Sequence, residues 1–337
     1  MASQRDVAKK AGVSFMTVSR VINKKINVDE NTRQKVLKAI RELGYYPNVL
    51  GRGLNRNKTE AIGVVIPTCS HLFSTQYYLE LLRGVEQYCA IAGYGMLLYP
   101  ARDDSGMIDY QKLYQERRVD GMLIIAPPVK DDQLKIIVKK KVPFVVLDGH
   151  QAGSSDKRIV FVDADNRGGA SEAVQYLIDQ GHKKIAHIAG WKTVANGRDR
   201  LFGYKSTLKK NGISHKDDYI REGDFTEITG YYKMKDLLGL KDRPTAVFAA
   251  NDLMAIGAIR AVQETGLGVP GDISIVGFDD IPSAKYSNPP LTTVHQMTFQ
   301  MGFEAVKLLI ENILQDKWAE SRVMETKLVV RESVKSL

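Results

Sequence analysis

The chain has 337 residues, of which 44% are hydrophobic and 26% are charged, and its formal net charge is +9. This hydrophobic content supports a substantial core, and the length leaves room for one small and one large domain. No apolar run approaches transmembrane length, and the charged N-terminus does not resemble a signal peptide, so we expect no membrane partner. The two cysteines, Cys69 and Cys89, have neither metal-site spacing nor a disulfide framework, which favours a reducing, cytoplasmic location.

Three short helices are predicted at the start of the chain. The first has one apolar face between Asp6, which favours a helix start, and Gly12, which favours a helix stop. Ser14 is a plausible N-cap of the second helix, and the third is predicted near residues 30–43. A tight turn between the first two helices matches a helix-turn-helix unit, which lays its second helix in the DNA major groove. The alternative is a small helical cap with a solvated face.

The exposed side of the second helix and the local charge both favour binding to nucleic acid. The apolar stripe of this helix leaves Met16, Arg20 and Asn23 on the opposite side, with Phe15 on the border between the two. Residues 1–60 hold 13 Lys and Arg against 5 Asp and Glu, a net of +8, so almost the whole basic excess lies here. That concentration of charge is expected of a phosphate-binding domain.

From residue 61 onward, strand-like apolar runs alternate with amphipathic helical stretches. Continuous apolar strands separated by helices indicate parallel sheets that are covered on both faces. There are too many strands for one sheet of ordinary size, so we expect two α/β lobes after the helical segment. The runs are "AIGVVIP", "YGMLLYP", "DGMLIIAP", "PFVVLDG", "IVFVDAD", "KKIAHIAG", "TAVFAAN" and "ISIVGFDD".

Polar residues follow several of these runs at the point where each strand should end. They are Asp148, Asn251, Asp279 and Asp280. Ligands of open α/β sheets lie beyond the carboxyl ends of the strands, so two facing lobes would bring these side chains to one cleft. Together they favour a site for a polar, hydroxyl-rich molecule. Each one alone is better explained by a helix N-cap or a turn.

These features together resemble the LacI/GalR family of bacterial transcriptional regulators over essentially the whole chain. The motifs that carry the resemblance are "DVAKKAGVSFMTVSRVIN", "TRQKVLKAIRELGYYPN", "GHKKIAHIAG", "GRDRLFGY", "PTAVFAANDLMAIGAIRA", "VPGDISIVGFDD" and "PPLTTVHQ". The resemblance implies a helix-turn-helix headpiece over residues 1–46, a hinge over 47–60 and an effector-binding and dimerisation core over 61–337. The core is expected to be α/β, with two doubly wound Rossmann-like lobes similar to periplasmic sugar-binding proteins. The first lobe should comprise about 61–160 and 292–321, and the second about 161–291 and 322–331.

The resemblance implies a repressor that binds double-stranded, palindromic operator DNA as a homodimer, without a cofactor or metal. The DNA-binding residues that it implies are Ser14, Phe15, Met16, Thr17, Ser19, Arg20, Asn23 and Leu54. Arg20 suits guanine O6 and N7, whereas Phe15 and Met16 can touch the thymine methyl group. Leu54, in the hinge, matches a leucine that wedges into the minor groove and bends the duplex. The alternative for Phe15 is that it seals the headpiece core.

The resemblance also implies a small effector, a sugar or a sugar derivative, that changes DNA affinity from the cleft between the lobes. The effector-binding residues that it implies are Phe73, Asp148, Arg200, Phe225, Asn251 and Asp279. Carboxylates accept hydrogen bonds from sugar hydroxyls, and arginine supplies a planar fork of donors. The alternatives are a structural salt bridge for Arg200 and core packing for Phe225.

Three competing interpretations stay open on the residues alone. An enzyme is disfavoured, because "GLGVPG" at residues 266–271 has G-x-G-x-x-G spacing but follows a helix and precedes a strand, so it cannot cradle a phosphate. The six histidines also show no obvious metal spacing or nucleophile–base pairing. A solute-binding protein for transport is disfavoured by the basic headpiece. The third interpretation keeps the regulator but replaces the sugar with a purine-like corepressor.

Overall fold

The chain divides into two units, Met1–Glu60 and Ala61–Leu337. Most of the predicted hinge, including Leu54, and the segment that contains Phe73 lie outside the residues that the structure describes. The structure is a computed structural model, and it describes residues 2–23, 28–46, 58–66, 75–100, 102–103, 106–107, 109–150, 156, 158–315 and 319–337.

The N-terminal unit contains the three predicted helices: α1 (Gln4–Ala11), α2 (Phe15–Ile22) and α3 (Glu30–Glu42). Helix α1 begins before Asp6, because Ser3 is its N-cap and the Asp6 carboxylate accepts a hydrogen bond from the Ser3 backbone N–H at 2.8 Å. Gly12 ends α1 in the left-handed conformation, at φ 66°. Ser14 caps α2 as predicted, since its Oγ accepts from the Thr17 backbone N–H at 3.1 Å.

The core of this unit is a small apolar cluster that all three helices share. Its buried members are Val7, Ala8, Val18, Val21, Val36, Ala39 and Tyr45. They recur at helical spacing, so burying them orients the opposite faces of the helices toward solvent.

The first lobe of the large unit is built on a parallel sheet of six strands, in the order β13-β7-β6-β5-β1-β2. The strands are β1 (Ala61–Ile66), β2 (Gly95–Pro100), β5 (Gly121–Ile125), β6 (Phe144–Leu147), β7 (Phe161–Ala164) and β13 (Arg322–Met324). The helices of this part are α4 (Gln76–Ala92), α5 (Tyr110–Gln115), α6 (Asp132–Lys139) and α11 (Thr298–Gln315), and a short hairpin is formed by β3 (Arg102–Asp103) and β4 (Gly106–Met107). Strands β1, β5 and β6 are buried almost throughout, as continuous apolar runs require.

The second lobe is built on a parallel sheet of four strands, in the order β11-β10-β8-β9. The strands are β8 (Ile185–Ala189), β9 (Ile220–Glu222), β10 (Ala246–Ala249) and β11 (Ser274–Val276). The helices are α7 (Asn166–Asp179), α8 (Ala195–Lys210), α9 (Glu227–Leu238) and α10 (Asp252–Glu264), with 3-10 turns at Asp217–Tyr219 and Pro282–Lys285. A separate antiparallel pair joins β12 (Thr293–Gln296) to β14 (Thr326–Val329).

The strand pairing corrects the predicted division of the core between the lobes. The run 161–164 was assigned to the second lobe, but β7 pairs with β6 in the first sheet. Likewise β13, at residues 322–324, pairs with β7, whereas β12 pairs with β14 and not with the first sheet. The chain therefore leaves the first sheet after β7 and joins it again at β13, because inter-strand hydrogen bonds, and not the apolar pattern of the run, decide which sheet a strand joins.

Candidate nucleic-acid interface and effector cavity

Helix α2 presents an apolar but exposed surface at its start. Phe15 is 49% exposed and Met16 is 60% exposed, and neither belongs to the buried cluster of the headpiece. The alternative in which Phe15 seals that core is therefore wrong. Arg20 lies one turn after Met16 and is also exposed. Two apolar side chains and a guanidinium thus share the outer side of a short helix, which is the arrangement that can touch base edges.

The polar residues of α2 already have partners within the helix. The hydroxyls of Ser14 and Thr17 lie 2.9 Å apart, and the Asn23 side-chain amide donates to the Ser19 carbonyl at 2.8 Å. These bonds hold the start and the end of the helix in shape. Ser14 and Thr17 lie at the N-terminus of this helix, and backbone N–H groups at a helix N-terminus can donate to a DNA phosphate.

A cavity in the large unit is lined by the carboxyl ends of strands from both sheets. Ala126 and Asp148 follow β5 and β6 of the first sheet, whereas Asn251 and Asp279 follow β10 and β11 of the second. The described lining residues are Thr75, Gln76, Tyr77, Tyr78, Ala126, Asp148, Trp191, Val194, Asn196, Arg200, Phe225, Asn251, Leu253, Asp279 and Ile281. Five of the six predicted effector residues therefore meet in one place, and Phe73 lies outside the described residues.

Arg200 reaches this cavity from helix α8 and is only 2% exposed. Its Nε donates to Asn166 Oδ1 at 2.8 Å, and its Nη1 donates to the Ala250 carbonyl and, at 3.3 Å, to Asp279 Oδ1. The guanidinium also lies 3.8 Å from the ring centroid of Phe278. Arg200 therefore forms the predicted alternative, a salt bridge with Asp279, and its side chain also lines the cavity.

Two buried carboxyl groups, Asp148 and Asp279, line the cavity, and Arg200 is the one arginine among the described lining residues. Burial raises the pKa of Asp148 to about 8, and it raises the pKa of Asp279 to about 6 although Arg200 acts in the opposite direction. Asp148 Oδ2 accepts from the Asn196 side chain at 3.2 Å, while its Oδ1 has no hydrogen bond of normal geometry among the described residues. Tyr77 lies beside it, and burial raises the pKa of that phenol too. Asp148 thus contributes a buried carboxyl group to the cavity lining, with the side chains of Asn196 and Tyr77 beside it.

Asn251 and Phe225 form one wall of the cavity. Asn251 is the N-cap of α10, which is the role predicted for it when it is considered alone. Its side-chain amide also donates to the Phe225 carbonyl at 2.9 Å. The Phe225 ring packs edge-on against Trp191, with the ring centroids 6.0 Å apart. A Cβ at Gly190 would lie 2.0 Å from the Phe225 ring, so only glycine allows the ring this position. Phe225 is only partly buried, which leaves part of its ring open to the cavity.

Backbone strain is concentrated around this cavity. Asp148 has φ 56°, Phe225 has φ 68° and Asp279 has φ 119°, although none of them is glycine. Left-handed conformations of such residues cost free energy and recur at binding sites, where the surrounding structure holds them in place. The strain is consistent with side chains that are aimed for a ligand.

Several lining residues were not predicted from the sequence. Asn196 precedes Arg200 by one helical turn, and this spacing on α8 was a signal that could have identified it. Tyr77 and Trp191 carried no comparable signal, because an aromatic residue next to a strand or helix end is common in a core. No group of His, Cys, Asp and Glu among the described residues could hold a metal ion. No helix in the described part of the chain is long and apolar enough to span a membrane.

Known proteins resemble this chain along its whole length. Residues 4–48 match the family of bacterial regulatory proteins called the lacI family, and residues 174–334 match the periplasmic binding protein-like domain. The HTH-type transcriptional repressor PurR of Mannheimia succiniciproducens is 37% identical over 340 residues, and the match covers 100% of both chains. PurR of Vibrio campbellii is 38% identical over 346 residues, also with full coverage of both chains.

Solved structures give the same assignment. The lac repressor dimer bound to operator and the anti-inducer ONPF is 30% identical, with a TM-score of 0.87 and 99% coverage of each chain. A complex of the transcriptional regulator CelR with cellobiose is 35% identical, with a TM-score of 0.75, and the match covers 99% of this chain and 100% of that one. The chain therefore belongs to the lacI family of bacterial regulatory proteins, and it is a transcriptional regulator and not an enzyme.

Proposed function

We propose that the protein is a homodimeric repressor whose affinity for a palindromic operator is controlled by a sugar or sugar derivative bound in the cavity. The headpiece supports the DNA part of the proposal, because α2 presents Phe15, Met16 and Arg20 on its exposed side. A dimer is supported by the lac repressor, which was solved as a dimer on its operator. Two copies of one short helix double the number of base pairs that are read, and two-fold symmetry requires a palindrome.

The observation that carries the sugar proposal is the pair of buried carboxyl groups, Asp148 and Asp279, facing one cavity with Arg200 and Asn196. A sugar offers many hydroxyl groups, each of which donates one hydrogen bond and accepts others. A carboxyl group in either protonation state keeps an acceptor oxygen, and the protonated form adds a donor. The two carboxyl groups therefore suit hydroxyl groups better than they suit an apolar ligand.

The aromatic wall complements these polar groups. Phe225 and Trp191 give an apolar surface against which the C–H face of a sugar ring can pack. Such sites combine an apolar lining with a few polar groups that fix the orientation of the ligand. The proposal is supported by two similar proteins that were solved with sugars, CelR with cellobiose and a lacI-family regulator from Enterococcus faecium with ribose.

A purine-like corepressor is the second candidate, and it is favoured by one observation. Two relatives with full-length coverage are named PurR repressors. A flat base could stack on Phe225 while its ring N–H groups donate to Asp148 or Asp279. The two candidate ligands depend on different residues, since a purine would bind mainly through the aromatic wall and a sugar through both carboxyl groups.

Isothermal titration calorimetry of the full chain with mono- and disaccharides, sugar phosphates and free purine bases tests the proposal. We expect a sugar to bind, and Asp279→Asn to weaken it by at least ten-fold, because one buried acceptor becomes a donor. The matched control is Asp218→Asn, at an exposed aspartate outside the cavity, and it should leave affinity unchanged. Binding of purines alone would replace the sugar with the second candidate.

The DNA part has a separate test. Operator sites are selected from random genomic fragments by gel shift, with and without the compound that binds. We expect palindromic sites whose affinity changes when the compound is added. Selected sites without two-fold symmetry would contradict the dimer, and an unchanged affinity would contradict control by the effector.

A further inference from the structure

His150 lies between two buried aspartates that the sequence did not connect. His150 comes shortly after β6 in the chain, and its Nδ1 lies 2.9 Å from Oδ2 of Asp163, which belongs to β7. Its Nε2 lies 3.1 Å from Asp199 Oδ2 on helix α8, an ion-pair distance at which the two atoms are not aligned for a hydrogen bond. Both carboxyl groups are almost fully buried, whereas the imidazole is partly exposed to solvent. One ring therefore connects the first lobe to the second beside the point where the chain crosses.

The two ring nitrogens determine what this bridge requires chemically. A neutral imidazole carries one N–H and one lone pair, so it can donate to only one of two carboxylates. An imidazolium can donate to Asp163 and still place its positive charge beside Asp199, so only this form is attracted to a carboxylate at each end. The neutral form would point a lone pair at a carboxylate oxygen about 3 Å away, which is repulsive. The bridge is therefore complete only when His150 carries a proton.

The bridge continues into the effector cavity through hydrogen bonds. Asp163 Oδ1 accepts from the Asn166 side chain at 3.0 Å, and Asn166 Oδ1 accepts from Arg200 Nε at 2.8 Å. Arg200 in turn pairs with Asp279 in the cavity. Asp163 belongs to the first sheet and Asn166 begins helix α7 of the second lobe, so this path crosses between the lobes a second time.

We propose that His150 is a proton-controlled bridge between the two lobes, and that through Asp163 and Asn166 it is a positioning residue for Arg200. In the protonated state the bridge holds α8 against the first lobe and holds Arg200 toward Asp279. When the proton leaves, the charge attraction between His150 and Asp199 is lost and the lobes are freed at this point. The effector part rests on the proposed function, whereas the bridge itself exists without any ligand.

The charged groups around the imidazole agree with this role. The described ones are Asp163 from β7, Asp199 and Arg198 from α8, and Arg167 from α7, which donates to Asp199 at 2.9 and 3.1 Å. The hydrogen bond to Asp163 is the main cause that raises the pKa of His150 above 6.5, while partial burial and Arg198 act in the opposite direction. The bridge should therefore be complete below pH 6.5 and should be lost as pH rises through the raised pKa.

Nuclear magnetic resonance of the ligand-free full chain, with labelled histidine, tests the protonation directly. His150→Gln identifies its signal among the six histidines. We expect a titration midpoint above the ordinary histidine value, and we expect Asp163→Asn to lower it. His215→Gln, at an exposed histidine 3.9 Å from Asp217, is the control that should leave the midpoint unchanged. If Asp163→Asn does not fold, Asp199→Asn tests the other end of the bridge. An ordinary midpoint for His150, or no effect of either carboxylate variant, overturns the proposal.

A second measurement tests the connection to the cavity. Trp191 lines the cavity, and the chain has one other tryptophan, Trp318, so Trp318→Phe leaves Trp191 as the only tryptophan to be excited selectively. We expect Trp191 emission and the Arg200 Nε–H resonance to change with the midpoint of His150, and both changes to disappear in His150→Gln. A His150 midpoint that is raised but leaves both signals constant would show that the bridge does not position Arg200. Neither measurement uses an effector, so failure of the sugar proposal in calorimetry leaves this test intact.

Discussion

Replacing Arg200 with methionine should lower the free energy of unfolding of the large unit by about 3–5 kcal/mol near neutral pH. Methionine keeps much of the volume of arginine but removes its charge and all of its donors. Asp279 is only 8% exposed and Arg200 lowers its pKa, so without Arg200 the buried group must either stay charged without a cation or take up a proton, and both cost free energy near neutral pH. Breaking a buried ion pair is costly mainly because the remaining charge has no partner.

The expected loss of free energy of unfolding can be divided among the individual contacts of Arg200. Loss of the donors leaves Asn166 Oδ1 and the Ala250 carbonyl without their bonds, at about 1 kcal/mol or more each. Loss of the cation over the Phe278 ring adds about 1 kcal/mol. Asp279 keeps one bond, from the Gln296 side chain at 2.7 Å, which moderates the cost of the unpaired carboxylate.

A double-mutant cycle with Asp279→Asn isolates the pair. In Arg200→Met/Asp279→Asn no buried carboxylate is left unpaired at this position, so the double variant should be more stable than the sum of the single effects predicts, by about 2 kcal/mol. Urea unfolding followed by tryptophan fluorescence measures each variant. The control cycle removes the pair of Arg260 and Glu227, which lie 3.0 Å apart but are about half exposed, and its coupling should be at most about 1 kcal/mol.

The pH dependence of the coupling completes this prediction. Burial raises the pKa of Asp279 to about 6, so the carboxyl group is mostly ionised near pH 7.5 and mostly protonated near pH 5. The coupling between Arg200 and Asp279 should therefore fall as pH is lowered across this interval. Additive single effects near pH 7.5, or a coupling that does not change with pH, would show that the pair is not a buried ion pair.

Three further predictions concern the headpiece, the cavity and the hinge. Arg20→Ala should remove about 1–3 kcal/mol of discrimination at one base pair per half-site, whereas Lys24→Ala should weaken binding to all sequences; equal binding profiles would contradict the role of α2. The folded protein keeps the Asp148 proton up to a pKa of about 8, so we expect its free energy of unfolding to fall as pH rises from about 4 to 8. Asp148→Asn should make this fall smaller, and urea unfolding that gives the same pH dependence for both proteins would refute the prediction. Gly51→Ala should tighten operator binding by up to about five-fold, because alanine lowers the free-energy cost of forming a hinge helix by at most about 1 kcal/mol. Weaker binding would instead indicate that the glycine permits a close approach to DNA.

Local features of the protein could be predicted from the sequence because local physics decides them. Ser14 caps its helix and Gly12 ends the one before, since both effects depend on a few neighbouring residues. All eight apolar runs form strands, because a continuous apolar run between helices has few other ways to be buried. Asp148 and Asp279 were found because ligand sites in such sheets lie at the carboxyl ends of strands.

Arg200 shows how far the resemblance reached and where it stopped. The motif "GRDRLFGY" marked this arginine as an effector residue, and the structure does place it in the cavity. Its partners were not visible in the sequence, because Asn166 and Ala250 lie 34 and 50 residues away along the chain. Hydrogen bonds over such separations leave no periodic pattern, so only folding reveals which groups satisfy a buried guanidinium.

The sequence by itself thus determined the helix-turn-helix unit, the strands and the polar residues at their ends, because each depends on spacing within one short segment. Only the tertiary structure decided that β7 and β13 join the first sheet and that Tyr77, Trp191 and Asn196 line the cavity. It also decided that His150 meets Asp163 and Asp199. These features arise where segments from different parts of the chain meet, and their free energies depend on burial and partners that exist only after the chain has folded.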